Sequence, residues 1–252
     1  MSDLNGKVAL VTGSSRGIGA GIAKEFARHG AKVVVHGRDT AAMSAVRAEI
    51  EQAGGQAIQV AADVTSFAEI EDMRGKVERA FGPIDVLVAN AGGTPIKPSP
   101  LEEISEDGWH ASVDANLTAT FLTIKSVLPG MKERGSGAII TISSAAARRP
   151  HPGSPIAYAA AKAGIELLTK DVAAQAGPYG IRANCIAPEG IRTEQNADLL
   201  PTAVLEQLIE QHPLRRLGTP EDIARAAVFL ASADSSWITG IVVDIAGGAV
   251  LV

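Results

Sequence analysis

Short apolar runs alternate with longer helical patterns along the whole chain, and this alternation limits the possible folds more than any other feature. Residues 7–12 (KVALVT) are apolar from Val8 to Val11, are too few for a helix and are followed by Gly13. Such a run is typical of a strand buried on both faces, as in parallel sheets. Comparable runs follow at 31–36, 56–62, 84–89, 138–143, 181–187 and 241–245.

Helical patterns separate these runs, at 17–30, 40–53, 66–81, 107–134 and 156–176. Strand–helix–strand units repeating at about 25 to 30 residues imply right-handed crossovers between parallel strands. We therefore predict an α/β fold: a Rossmann-type, doubly wound parallel sheet of about seven strands with helices on both faces. We expect residues 1–252 to form one dinucleotide-binding and catalytic domain.

Two insertions leave the carboxyl ends of predicted strands, at 148–155 (RRPHPGSP) and at 189–219. Ligands of open α/β sheets bind at that edge. We therefore predict that these insertions form a wall of the substrate pocket and a lid, with the lid around 189–219.

Charge and cysteine content exclude other classes of protein. The 252 residues carry 23 basic and 28 acidic side chains, and the net charge of −5 offers no overall attraction to nucleic acid or anionic membranes. No apolar stretch approaches the roughly 18 residues of a membrane span. A single cysteine, Cys185, fits a reducing compartment. We expect a cytoplasmic protein that contains no metal. We also expect it to bind neither nucleic acid nor membranes.

A glycine-rich turn between the first strand and the first helix predicts a dinucleotide site. Residues 12–19 read TGSSRGIG, with the spacing G-x-x-x-G-x-G. Glycines there let a pyrophosphate approach the free N–H groups of the helix N-terminus, although a turn without a ligand has the same pattern. The candidate phosphate-binding residues are Gly13, Ser15, Arg16, Gly17, Ile18 and Gly19.

The end of the second strand favours NADP(H) over NAD(H). An acidic residue at this point binds the ribose of NAD, whereas an arginine accommodates the 2′-phosphate of NADP. Gly37 stands where the acid is expected, and Arg38 follows it. Arg38 can bind a phosphate bidentately, and Arg16 can add a second cation. Two solvated arginines are the alternative, and Asp39 keeps NAD possible because it can pair with Arg38 or bind a hydroxyl itself.

Tyr158 and Lys162 lie four residues apart in a helical pattern, and therefore on one face. A nearby ammonium favours the tyrosinate and lowers the pKa of the phenol toward the working range of an acid–base catalyst. This spacing alone is common on helix surfaces, so its meaning depends on the other motifs.

Together these motifs resemble the short-chain dehydrogenase/reductase family. The set comprises the glycine turn, Asp63-Val64 after the third strand, Asn90-Ala91-Gly92 after the fourth, Asn116 on the long helix, Ser143-Ser144 after the fifth and Tyr158-x-x-x-Lys162. Residues 213–224 (PLRRLGTPEDIA) and 158–164 (YAAAKAG) are most similar to 3-oxoacyl-carrier-protein reductases. The resemblance implies hydride transfer between a nicotinamide and a ketone or secondary alcohol.

The resemblance implies four catalytic residues. Tyr158 would donate a proton to the carbonyl oxygen, and Lys162 would lower the pKa of Tyr158 and bind the nicotinamide ribose. Ser144 would hold the substrate oxygen, with Ser143 as the alternative, and Asn116 would anchor a water that links Lys162 to solvent. For the cofactor, the resemblance adds Asp63 and Val64 at the adenine, Asn90, Ala91 and Gly92 along the channel, and Thr193 at the carboxamide.

Several questions stay open in the sequence. The substrate can be a 3-oxoacyl thioester, and the alternatives are an NAD-dependent dehydrogenase of sugars, polyols or cyclic alcohols and a non-catalytic NADP-binding regulator.

Two features depart from the family: Glu189 after Pro188, and a Ser144–Tyr158 spacing one residue too long. Arg148 and Arg149 can orient an anionic substrate group. Extra apolar surface on the long helix, including Phe121, predicts a homo-oligomer, and the resemblance implies a tetramer.

Overall fold

A seven-stranded parallel sheet forms the centre of the protein, as predicted. The computed structural model describes residues 3–151, 153–194 and 202–251. The strands are β1 (Val8–Val11), β2 (Lys32–Gly37), β3 (Gln56–Ala61), β4 (Val86–Ala89), β5 (Gly137–Ile142), β6 (Ile181–Pro188) and β7 (Val242–Ile245). Their spatial order is β3-β2-β1-β4-β5-β6-β7, and every neighbouring pair is parallel. The order reverses between β1 and β4, which creates a crevice at the carboxyl edge.

Helices cover both faces of this sheet. They are α1 (Gly17–Arg28), α2 (Thr40–Gln52), α3 (Phe67–Phe81), α4 (Glu106–Val113), α5 (Ala119–Arg134), α6 (Ile156–Ala176), α7 (Thr202–Gln211) and α8 (Pro220–Ala231). None of the helices within the described ranges is long and apolar enough to cross a membrane.

Alternate residues of each strand supply two separate cores. In β1, Ala9 and Val11 pack on the side that contains Phe26 of α1, whereas Val8 and Leu10 pack on the side that contains Met131 of α5. All four β1 residues are at most 3% exposed. Burial on both faces explains why the strands have apolar runs instead of alternating polarity.

Two predictions about helices need correction. The single helix predicted at 107–134 is divided into α4 and α5 by a π-helical turn, Asp114–Thr118, which contains Asn116. The predicted lid at 189–219 contains a helix, α7, that the sequence analysis missed. Of this lid, residues 195–201 lie outside the described residues, as does residue 152 of the other insertion.

Candidate active site

A cavity of about 980 Å³ opens at the carboxyl edge, where the strand order reverses. Its size is in the range of small-molecule and cofactor sites. Every predicted cofactor-binding residue lines it: Gly13, Ser15, Arg16, Gly17, Ile18, Gly19, Arg38, Asp63, Val64, Asn90, Ala91, Gly92, Tyr158, Lys162 and Thr193. Ser144 also lines it, whereas Asn116 is buried just behind the wall. Within the described ranges, no cluster of three His, Cys, Asp or Glu side chains is placed to hold a metal ion.

The glycine turn has the backbone that a pyrophosphate requires. Gly13 and Gly17 have φ values of +65° and +56°, which favour glycine, and a Cβ on Gly19 would collide with the Gly13 carbonyl oxygen. The side chain of Arg16 does not cap α1, and the first turn of α1 contains no acidic residue. The helix therefore begins with N–H groups suited to an anion, and a dinucleotide pyrophosphate fits there.

A carboxylate from the second insertion reaches the same helix terminus. The Gly17 N–H donates to Glu194 Oε2 at 3.3 Å. This contact links the segment after β6 to the phosphate-binding turn, and no motif in the sequence indicates it.

His36 supports the glycine turn, which the sequence analysis missed. Its Nδ1 accepts from the Gly13 N–H at 3.0 Å, and its Nε2 lies 3.1 Å from the Ala62 carbonyl oxygen. Burial lowers the pKa of His36, which favours the neutral ring that this pair of contacts needs. The signal available in the sequence was a polar residue, His36, inside the apolar run at 31–36.

Asn90 braces the same turn from the next strand. Its Nδ2 donates to the carbonyl oxygens of Thr12 and Gly13 at 2.9 and 3.1 Å, and its backbone N–H donates to Thr12 Oγ1 at 3.0 Å. The predicted channel residue is therefore also a structural tie between β1 and β4.

The adenosine end of the cleft contains two arginines, one of which is paired. Arg16 Nη2 donates to Asp39 Oδ2 at 2.6 Å, and both side chains are about half exposed. Asp39 also caps α2 by accepting a hydrogen bond from the Ala42 N–H. This bond has the largest lowering effect on the pKa of Asp39, the bond from Arg16 adds to it, and the pKa lies below its usual value. Asp39 thus pairs with Arg16, not with Arg38. A Cβ on Gly37 would lie 3.0 Å from Ser15 Oγ, so a side chain there would require a small shift of Ser15.

Tyr158 and Ser144 meet at the opposite end of the cleft. Ser144 follows β5, Tyr158 lies in the first turn of α6, and their side chains hydrogen-bond. Burial raises the pKa of Tyr158, the Ser144 bond opposes this, and the charge of Glu189 raises it further. Burial thus has the largest effect on the pKa of Tyr158, and a lowering of this pKa by Lys162 stays a prediction.

Lys162 is fully buried below the Tyr158 ring. Its Nζ donates to the Ile142 carbonyl oxygen at 2.8 Å and lies 5.5 Å from the ring centroid. Burial lowers the pKa of Lys162 to about 8. The ammonium is thus held beside the phenol in a position where it titrates near physiological pH.

The two adjacent serines have different surroundings. Ser143 is 3% exposed, and its Oγ–H has two acceptors in reach, the Lys162 carbonyl oxygen at 3.1 Å and Glu166 Oε1 at 3.0 Å. Its hydroxyl therefore fixes α6 against β5. Ser144, which contacts Tyr158, is the serine whose geometry suits a substrate oxygen.

Asn116 lies in the π-helical turn and holds the loop after β4. Its Nδ2 donates to the Ser112 and Gly93 carbonyl oxygens at 2.8 Å, and its Oδ1 accepts from the Gly93 N–H at 3.2 Å. A Cβ on Gly92 would lie 2.6 Å from Asn116 Oδ1 and 3.5 Å from Lys162 Nζ. Asn116 is therefore near Lys162, and the role of a water anchor stays a prediction.

Arg148 does not face a substrate, contrary to the sequence analysis. Its guanidinium donates to Glu166 Oε2 at 2.9 Å and to both carboxylate oxygens of Asp244 at 3.0 and 3.3 Å. The side chain is 20% exposed, and all three of its nitrogens donate to these two carboxylates. Arg149, by contrast, is exposed.

The glycine turn, the crevice and the Ser–Tyr–Lys group together define a Rossmann-fold oxidoreductase, and comparisons specify the family. A family model described as enoyl-(acyl carrier protein) reductase matches residues 13–250. A 2,5-dichloro-2,5-cyclohexadiene-1,4-diol dehydrogenase of Sphingobium indicum is 41% identical over 97% of this chain and 96% of its own. A 3-oxoacyl-[acyl-carrier-protein] reductase of Chlamydia muridarum is 42% identical over 96% of both chains.

A solved structure has the same fold. It is a 7α-hydroxysteroid dehydrogenase complexed with NADH and 7-oxo glycochenodeoxycholic acid, 36% identical, with a TM-score of 0.92 over 98% of this chain and 95% of the other. The chain belongs to the short-chain dehydrogenase/reductase family, as predicted. It is an NAD(P)-dependent oxidoreductase that acts on alcohol and carbonyl groups.

Proposed function

We propose that this protein is an NADP(H)-dependent reductase of ketones, with Tyr158 as the proton donor. The observation that carries this proposal is the convergence of Ser144, Tyr158 and Lys162 in the same cavity as the glycine turn. The fold, the ordered motifs and the family membership support it.

The side chains divide the work of carbonyl reduction. When bound, the nicotinamide supplies the hydride. The hydroxyls of Ser144 and Tyr158, which hydrogen-bond to each other, bind the carbonyl oxygen and polarise it. Burial keeps Tyr158 protonated at neutral pH, which suits an acid that protonates the developing alkoxide. Lys162 presents its ammonium beside the phenol, and Asn116 holds the backbone of Gly93 in the loop after β4.

The preference for NADP(H) rests on Arg16 and Arg38. Both line the adenosine end of the cavity, and guanidinium groups bind phosphate bidentately. Two observations favour NAD(H) instead: Asp39 pairs with Arg16 at 2.6 Å, and the structure of a related dehydrogenase contains NADH. We therefore keep an NAD-dependent dehydrogenase as the second candidate.

The substrate is a small ketone or secondary alcohol. A 3-oxoacyl thioester is supported by the Chlamydia relative and a cyclic alcohol by the Sphingobium relative, and a sugar or polyol stays an alternative. The proposal includes a single domain over residues 1–252 with a substrate lid around 189–219, and a cytoplasmic location, which the single buried cysteine favours.

Exposed apolar side chains on α4, α5 and α6 support a homotetramer. Trp109, Phe121, Ile156 and Leu167 are 37%, 45%, 44% and 62% exposed. Exposed apolar side chains become buried when such surfaces form subunit contacts. Light scattering at micromolar concentration tests the assembly, and a monomer there would contradict it.

Turnover of a carbonyl panel with NADPH and with NADH tests the function. Cofactor absorbance reports the reaction, and cofactor fluorescence reports binding. We expect reduction of at least one ketone, faster with NADPH. Faster turnover with NADH would favour the second candidate, and tight NADPH binding without any turnover would favour a non-catalytic regulator.

A further inference from the structure

Glu166 follows Tyr158 and Lys162 on α6, one turn beyond the lysine and two turns beyond the tyrosine. Residues four apart on a helix are neighbours, so the three side chains lie along one side of α6. Glu166 is 7% exposed and, unlike the other two, does not line the cavity. A carboxylate this deeply buried requires hydrogen-bond donors, because removal of a charge from water is costly.

The donors that surround Glu166 come from both sides of Ser144 in the chain. The Ser143 hydroxyl lies 3.0 Å from Glu166 Oε1, and Arg148 Nη1 donates to Glu166 Oε2 at 2.9 Å. Ser143 immediately precedes Ser144, and Arg148 follows it by four residues. One carboxylate therefore connects both ends of the segment that carries Ser144 to the helix that carries Tyr158.

The segment between the two donors is short and internally hydrogen-bonded. A 3₁₀ turn, Ala145–Ala147, joins Ser144 to Arg148. The N–H in the middle of this turn donates to Ser144 Oγ at 3.2 Å, and the Arg148 N–H donates to the first carbonyl oxygen of the turn at 2.9 Å. The position of the Ser144 hydroxyl thus follows from where the two ends of the segment are held.

Two further contacts support these ends. Arg148 donates to both carboxylate oxygens of Asp244 at 3.0 and 3.3 Å, so β7 holds the guanidinium from the other side. The Ser143 hydroxyl has a second acceptor on α6, the Lys162 carbonyl oxygen at 3.1 Å. Glu166 therefore belongs to a bonded cluster that joins the end of β5, α6 and β7, and it stands outside the cavity wall.

We propose that Glu166 is a positioning residue that holds the Ser144 hydroxyl in the place relative to Tyr158 that carbonyl reduction requires. It acts through Ser143 and Arg148 and touches neither substrate nor cofactor. This assignment rests on the proposed function of Ser144 and Tyr158. Because misplacement of a reacting group by about 1 Å can cost about 100-fold in rate, loss of the carboxylate slows the chemical step.

Glu166→Gln tests this role with little change in side-chain volume. The amide has one carbonyl oxygen, so it accepts from only one end of the Ser144 segment, and its NH₂ group faces a donor at the other end. We expect kcat for ketone reduction with NADPH to fall by about 10- to 100-fold. KM for the ketone and the Kd of NADPH, measured by fluorescence, should each change less than about threefold, because Glu166 does not line the cavity.

Glu71→Gln is the matched control. Glu71 also binds a guanidinium and a hydroxyl, those of Arg74 and Ser126, but it joins α3 to α5 and does not line the cavity. This variant should keep the wild-type kcat. Equal losses of kcat in Glu71→Gln and Glu166→Gln would show a general effect of a lost ion pair and would overturn the proposal.

A double-mutant cycle measures whether Glu166 acts through Ser144. In a Ser144→Ala background, Glu166→Gln should lower kcat by less than about twofold further, because the hydroxyl that it positions is gone. Losses that multiply in the double variant would contradict the proposal, as would a wild-type kcat in Glu166→Gln.

Ser143→Ala provides a second variant that keeps the ion pair of Glu166 with Arg148. It removes one hydrogen bond and should lower kcat by about three- to tenfold, so it tests the proposal even where Glu166→Gln does not fold. Circular dichroism at the assay temperature shows which variants are folded. Failure of the proposed function has a different signature: the wild type then reduces no ketone with either NADPH or NADH, and both proposals fall.

Discussion

Replacement of Arg148 by Met should destabilise the fold, because it leaves two largely buried carboxylates without their cation. The guanidinium bridges Glu166 and Asp244 at 2.9 and 3.0 Å, and the three side chains are 20%, 9% and 19% exposed. Removal of one partner from a buried ion-pair network costs about 3–5 kcal/mol. Because solvent partly screens these charges, we expect Arg148→Met to lower the free energy of unfolding by about 3 kcal/mol, near the lower end of this range. For a chain of this length, that corresponds to a fall in Tm of about 6–12 °C.

Urea and thermal unfolding of matched variants measure this free energy. Arg28→Met removes an exposed partner of Glu25 and should cost less than about 1 kcal/mol. The triple variant Arg148→Met, Glu166→Gln, Asp244→Asn removes the orphaned charges and should recover at least half of the loss. A free energy of unfolding for Arg148→Met within about 1 kcal/mol of the wild type would refute the reasoning. So would a triple variant no more stable than the single one.

Three further results are expected. Arg38→Ala should raise the Kd of NADPH about tenfold and change that of NADH less than about twofold, because only NADPH carries the 2′-phosphate; equal effects measured by fluorescence titration would contradict this. Glu194→Gln should tighten both cofactors by about two- to fivefold, because a negative charge leaves the N-terminus of α1, and weaker binding would contradict it. The rate of ketone reduction should fall as pH rises through about 8, where buried Lys162 loses its proton. A rate that does not change between pH 7 and 9.5 would show that the charge of Lys162 is not needed for reduction.

Much of the fold was predictable because strands buried on both faces leave long apolar runs. The run at 31–36 corresponds to β2 at Lys32–Gly37, and the predicted helix 156–176 is α6. The glycine turn was predictable for another reason: Gly13 and Gly17 adopt positive φ values that few other residues tolerate.

Features that depend on tertiary contacts left no local pattern. The π-helical turn has no motif that distinguishes it from an ordinary helix, and within it Asn116 bonds to the Gly93 backbone, 23 residues away in the sequence. The bond of His36 to Gly13 joins residues 23 apart, and the Glu194 contact joins residues 177 apart. Arg148 resembled a pocket cation because Asp244, its main partner, lies 96 residues away in the sequence.

Proton delivery by Tyr158 is tested most directly by Tyr158→Phe, assayed for NADPH-dependent ketone reduction and for NADPH binding together. We predict that kcat falls by at least about 100-fold, the usual contribution of a general acid, while the Kd of NADPH changes less than about threefold. Tyr179, the other tyrosine, is exposed beside Lys132, and Tyr179→Phe should have wild-type activity. A Tyr158→Phe enzyme that retains more than about a tenth of the wild-type kcat would contradict this mechanism.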